Sequence, residues 1–153
     1  MKLKQRQLFC SIVIFFCSFT FATANGQVTD HPGQIQDDSA LISALKSRKN
    51  QFYVEAGNLV VTKILPDDVS GLPHQKWEAR LSDGSLITIV YNSDMGLRVP
   101  VHIGSHFSVG GQFISTGNGG LVHWVHDDPK KVRPDGYVYL EGIVYGDTDH
   151  EDS

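Results

Sequence analysis

The window His123-Trp124-Val125-His126-Asp127-Asp128-Pro129 sets two imidazoles, an indole and two carboxylates within seven residues. Neutral imidazole nitrogens and carboxylate oxygens are the donors that Zn²⁺, Cu²⁺ and Ni²⁺ take. His123, His126 and Asp128, joined by His74, are therefore the candidate metal ligands, with zinc or copper as the expected ion. Strand geometry opposes that reading, because residues three apart on an extended chain point to opposite faces. The two histidines converge only if the chain turns at Val125 or His126, which the following Asp-Asp-Pro allows. The competing reading has both imidazoles hydrogen-bonded to loop carbonyls.

A second group lies upstream. Asp67 and Asp68 follow Pro66 and precede His74-Gln75, and Asn92 and Asp94 stand further on. Together with Trp124 they make the expected ligand-binding set: Asp67, Asp68, His74, Gln75, Asn92, Asp94 and Trp124. The plainer account of Asp67-Asp68 is turn chemistry, in which an Asp side chain caps its own loop. Catalysis has little support. Ser70 precedes His74 without a nucleophile elbow or oxyanion motif. Asp67, Asp94, Arg80 and Arg98 fit a metal-dependent nuclease only by residue type. Trp77, Tyr91, Trp124, Tyr137 and Tyr139 offer rings for stacking on a sugar or base, although Trp77 shares its strand face with Ala79 and Leu81 and reads as core.

The beginning of the chain gives the address. Lys2, Lys4 and Arg6 precede an apolar run from Leu8 to Ala22, and Ala22-Thr23-Ala24 is a small-residue cleavage site. This predicts a secretory signal over 1–24 and a periplasmic or secreted protein with no membrane span after cleavage. Both cysteines, Cys10 and Cys17, fall inside the signal, so thiolate catalysis and disulfides are excluded from the mature chain. Losing those three cations leaves 10 basic against 17 acidic residues, a net charge of −7. That sign disfavours nucleic acid as a partner and leaves a small molecule or another protein.

These groups need elements to hold them. Residues 25–37 read as a flexible leader and 38–146 as a single domain, with an acidic, disordered tail over 147–153. Asp38 or Ser39 is the expected cap of a short helix carrying Leu41, Ile42 and Leu45. Period two follows: a first strand from about Phe52 to Leu65 bulged at Ala56-Gly57, then Lys76–Leu81, Leu86–Tyr91, a strand around Phe107–Phe113, Leu121–Val125, and an extended piece over Tyr137–Tyr145. Short, bent strands with one helix predict a mainly β protein, an OB-like (oligonucleotide/oligosaccharide-binding) five-stranded Greek-key barrel. An SH3-like barrel or a β-sandwich is the alternative. The usual OB helix between the third and fourth strands has no counterpart in Asn92–Gly104.

The run Lys63-Ile64-Leu65-Pro66-Asp67-Asp68, then Gly71, His74-Gln75, Arg80-Leu81, Asn92, Asp94, Gly111, Gly119-Gly120, His123-Trp124-x-His126-x-Asp128-Pro129, Gly136 and Tyr145 resembles a family of small secreted bacterial proteins. That family is catalogued as a domain of unknown function. The resemblance implies secretion and an OB-like barrel, with no established activity. This chain departs from the pattern at Tyr91, Ser105, Arg133 and Leu140, where histidines or an acidic residue are expected. The expected function is a small binding protein for an unknown ligand, with metal assistance, and the alternative is a metal-dependent hydrolase.

Overall fold

The computed structural model describes residues 35–68 and 70–146 of the chain. The expected signal over 1–24, most of the expected leader and the expected tail over 147–153 lie outside the described residues. Among the described residues no helix is long and apolar enough to cross a membrane.

The expected helix forms as α1 (Ser39–Ser47), burying Leu41 and Ala44. Asp38 stands at its N-cap but makes no side-chain cap. Its carboxylate instead accepts from the Ser82 N–H at 2.6 Å and the Ser82 hydroxyl at 2.7 Å. Asp37 accepts from the Ser39 N–H at 2.8 Å. The helix stops where Arg48 enters the left-handed region at φ 53°, its N–H reaching the Ala44 carbonyl.

Seven strands follow: β1 (Gln51–Asp68), β2 (His74–Arg80), β3 (Leu86–Asn92), β4 (His106–Thr116), β5 (Gly119–His123), β6 (Tyr137–Leu140) and β7 (Ile143–Tyr145). They run in the order β1-β2-β3-β5-β4-β6-β7, and a further pairing of β1 with β4 closes the first five into a ring. The protein is mainly β and barrel-like, with β3 and β5 parallel and the other neighbours antiparallel. β1 serves two partners by bending. Its first half pairs with β4 and its second with β2, with register breaks at Gln51/Val54, Ala56/Leu59, Val61/Lys63 and Leu65/Asp68. Asn58, at φ 57°, sits in the Ala56/Leu59 break, beside the expected Ala56-Gly57 bulge.

Alternation decides the inside. Trp77, Ala79 and Leu81 are buried from β2, Ile87, Ile89 and Tyr91 from β3, Phe107, Val109 and Phe113 from β4. Trp77 meets the Phe107 ring edge-on at 5.8 Å. Two expectations need correction. The piece Tyr137–Tyr145 is a hairpin, β6 and β7, because Glu141 (φ 52°) and Gly142 (φ 90°) both take the positive φ of a tight turn. β5 ends at His123 rather than Val125, because Trp124 leaves the extended region at φ 59°.

α1 supplies the helix that the segment after β3 lacks, where only a short 3₁₀ turn, Ser93–Met95, forms. It lies by the β2–β3 turn, through Asp38 to Ser82 and Lys46 to Asp83. The start of β2 and the end of β3 are at the opposite end of the ring, and His74 pairs directly with Asn92 there. β5 runs parallel to β3 with Ile89 opposite Val122, so His123 arrives at that same end.

Candidate functional site

The end of the ring opposite α1 carries the candidate site. His74 and His123 come from strands that flank β3, and their ring centroids are 5.6 Å apart with planes tilted by 49°. Trp124 follows His123 with its ring edge-on at 6.4 Å, and His126 lies against Trp124 at 4.9 Å. The turn that allows this falls at Trp124, one residue before the positions where the sequence permits it. A left-handed Trp costs about 1–2 kcal/mol relative to an extended one. It breaks the strand alternation, so that both His123 and His126 reach the same indole.

His126 is buried, and its Nδ1 lies 2.6 Å from the Asp127 carbonyl. A carbonyl only accepts, so Nδ1 carries a proton in this contact. His123 is half-buried, and its pKa lies below the ordinary 6.5. Burial is the main cause, followed by the charges of His74, His126 and Arg133.

The loop after Pro129 folds around one carboxylate. Asp128 is buried and accepts from the N–H groups of Lys130 at 3.1 Å, Val132 at 2.8 Å and Arg133 at 2.8 Å. Burial raises its pKa, but those three donors and the Arg133 charge outweigh it and leave the carboxyl below 3.8. Asp135 closes the loop by accepting from the Asp128 N–H at 2.8 Å. This brings Arg133 onto the barrel. Its guanidinium lies over the Trp124 ring at 4.7 Å and the Phe52 ring at 5.0 Å, and its Nη1 donates to Gln112 Oε1 at 3.0 Å. Gln112 is the direct partner of His123 across β4 and β5.

The four expected metal ligands do not form one donor set. Asp128 is occupied by backbone N–H groups, and His126 Nδ1 is engaged by the Asp127 carbonyl while its ring packs on Trp124. Among the described residues no group of three or more His, Cys, Asp and Glu side chains is placed to hold a metal ion. What remains is the pair His74 and His123, two imidazoles where structural zinc takes four ligands and catalytic zinc three.

Most of the expected ligand-binding residues hold the scaffold. Asp67 takes both terminal nitrogens of Arg98, at 2.6 and 3.3 Å. Asp68 accepts from the Ser70 N–H at 3.1 Å, the turn chemistry that its position predicts. Gln75 is buried and grips Val99 at two points, accepting its N–H at 3.1 Å and donating to its carbonyl at 2.7 Å. Asn92 is buried and caps the 3₁₀ turn by accepting from the Asp94 N–H. Asp94 is exposed on that turn. His74 and Trp124 remain half-buried at the site itself.

Sequence reasoning missed Phe52, Gln112 and Arg133 as site residues. Arg133 follows the Asp-Asp-Pro turn in a polar loop, and no spacing rule ties it to Phe52 at the start of β1. The caged Asp128, with Asp135 closing the loop, turns it back across the barrel.

The chain belongs to the family described as Protein of unknown function (DUF3465), which matches residues 25–146. No curated protein and no solved structure matches the chain.

Proposed function

We propose that this DUF3465 chain is a small binding protein of the periplasm or the extracellular space, taking its ligand at the ring end that carries His74, His123 and Trp124. The observation that carries this reading is the 5.6 Å approach of His74 and His123, drawn from separate strands and kept partly open to solvent beside an indole. Binding rather than turnover is favoured because three of the carboxylates expected at the site are engaged elsewhere. Asp128 holds its own loop, Asp67 holds Arg98 and Asp68 holds its turn. A metal-dependent hydrolase needs a carboxylate free to act as a base or ligand. The proposed export rests on the basic start, the apolar run to Ala22 and the Ala22-Thr23-Ala24 site.

Thermal melting of the mature protein against a panel of small molecules, with Zn²⁺ and Cu²⁺ included, tests the site. A ligand of the native state raises Tm, and the rise should vanish in His123→Ala and shrink in His74→Ala. Hits whose shifts survive both substitutions would place the binding surface elsewhere. Mass spectrometry of the exported protein tests the address, with Asn25 expected as the first residue. A product that retains Cys17 would refute it.

A further inference from the structure

We propose that Arg133 and His123, with His74 beside them, form an oxyanion-recognition site that takes a carboxylate or phosphate group of a small ligand and lays the ligand's body along Trp124. The inference rests on the binding reading above and names the chemistry of the ligand.

The first support is the way Arg133 is held. Two rings at 4.7 and 5.0 Å and the Gln112 amide fix the plane of its guanidinium. The ion pairs of the described residues join carboxylates to Lys46, Arg98 and Lys131, and Arg133 is in none of them. In the Gln112 contact only Nη1 donates, so Nη2 and Nε keep N–H groups in the fork geometry that matches an oxyanion. A cation pre-set by aromatic packing loses little side-chain freedom on binding.

The second support is the sign of the groups around it. His74 lies 5.6 Å from His123, and Gln112, the cross-strand partner of His123, accepts from Arg133, so the imidazoles and the guanidinium gather positive or potentially positive side chains at one place. Asp128, the carboxylate fixed in the same loop, is turned inward onto three backbone N–H groups. Such a cluster suits an anion better than a metal cation, which would meet the fixed guanidinium charge. The chain as a whole is acidic, at −4. Charges beyond roughly 8 Å are screened at physiological salt, so the local cluster decides the sign a ligand meets.

The third support is access. His74, His123, Trp124, Gln112 and Arg133 are all half-buried rather than enclosed, and Phe52 is 57% exposed. Trp124 is only half-buried, and the part of its indole left open offers an apolar surface for the part of a ligand that the cations do not grip.

NMR titration of the full mature chain at constant ionic strength tests the proposal, with inorganic phosphate and succinate as separate probes. Saturable shifts are expected at the Trp124 indole, the His123 ring and the Arg133 Nε–H. Arg133→Gln should weaken binding by about tenfold or more, the loss expected of a charge-assisted hydrogen bond. Lys130→Gln, an exposed cation of the same loop, should leave it unchanged. If Arg133→Gln does not fold, Arg133→Lys decides, because it keeps the charge and loses the fork; a several-fold weakening supports the site and none overturns it. Phosphate binding without succinate binding assigns a phosphorylated ligand, and the reverse assigns a carboxylate. Two outcomes overturn the proposal: equal affinity in wild type and Arg133→Gln, or no response to either probe. A response of His74 and His123 to Zn²⁺ or Cu²⁺ alone would do so too, while leaving the binding end intact.

Discussion

Asp128 and Arg133 are joined through the backbone, the Asp128 Oδ2 accepting the Arg133 N–H at 2.8 Å. The same oxygen accepts the Val132 N–H at 2.8 Å, while Oδ1 takes the Lys130 N–H. One buried carboxylate therefore folds the loop that carries the guanidinium over Trp124. A residue expected to bind a metal instead builds the surface on which a ligand is proposed to sit.

That cage makes stability depend on acid. Asp128 titrates below its ordinary 3.8 in the folded protein, where burial is outweighed by its backbone donors, and Asp135 is lowered first by the Asp128 N–H. A depressed carboxyl contributes stability that is present above the unfolded value and lost as pH falls through the folded one. Denaturant melts should therefore show stability falling below about pH 3.8. Asp128→Asn should be less stable at pH 7 and show a shallower acid slope. An unchanged slope would mean the cage does not form.

His123 should titrate below 6.5 when its ring protons are followed by NMR, chiefly from burial and then from the neighbouring charges. Arg133→Gln and His74→Ala should each raise the midpoint. The group favours its neutral form when folded, so its contribution to stability is present above its unfolded pKa and fades as pH falls through the folded one. A midpoint at or above 6.5 in the wild type would contradict the geometry.

Trp77 is fully buried against Phe107. Trp77→Ala should cost about 3–5 kcal/mol in denaturant melts. Lys76→Ala, on the other face of β2, should cost under about 0.5 kcal/mol. Similar costs would mean that the register of β2 is different.

Gly136 lies where an added Cβ would collide with the Trp124 carbonyl oxygen and sit 2.8 Å from the His126 nitrogen. Gly136→Ala should therefore push on the backbone that presents the site, and cost about 1–3 kcal/mol or more. Gly117→Ala, with nothing within 4 Å of its added carbon, should change stability by under about 0.5 kcal/mol. Circular-dichroism melts of the two variants decide the point. A tolerated Gly136→Ala would show that the loop packs less closely on Trp124 than this.

Much of the architecture was legible because alternation is a local property. Trp77, Ala79 and Leu81 against Lys76, Glu78 and Arg80 define a strand face in any fold, and Asp83-Gly84 marks the turn that follows. The bulge near Ala56-Gly57 could be read for the same reason: glycine interrupts a strand pattern where the backbone must bend. From these local signals came one helix, bent strands and a barrel-like ring of the OB kind.

The site was not local, and so the sequence determined only its raw materials. His74, His123 and Trp124 could be named as chemistry-bearing residues, and Asp68 could be given its turn role. Tertiary structure alone decided which of them meet. The parallel pairing of β3 with β5 carries His123 to the end where His74 pairs with Asn92. A single left-handed residue, Trp124, reverses the facing of everything after it. Three backbone N–H groups claim Asp128 and bring Arg133 to Phe52, from the far end of the domain. Propensity and spacing describe neighbours along the chain, whereas these contacts depend on ring closure and loop packing between residues far apart in it.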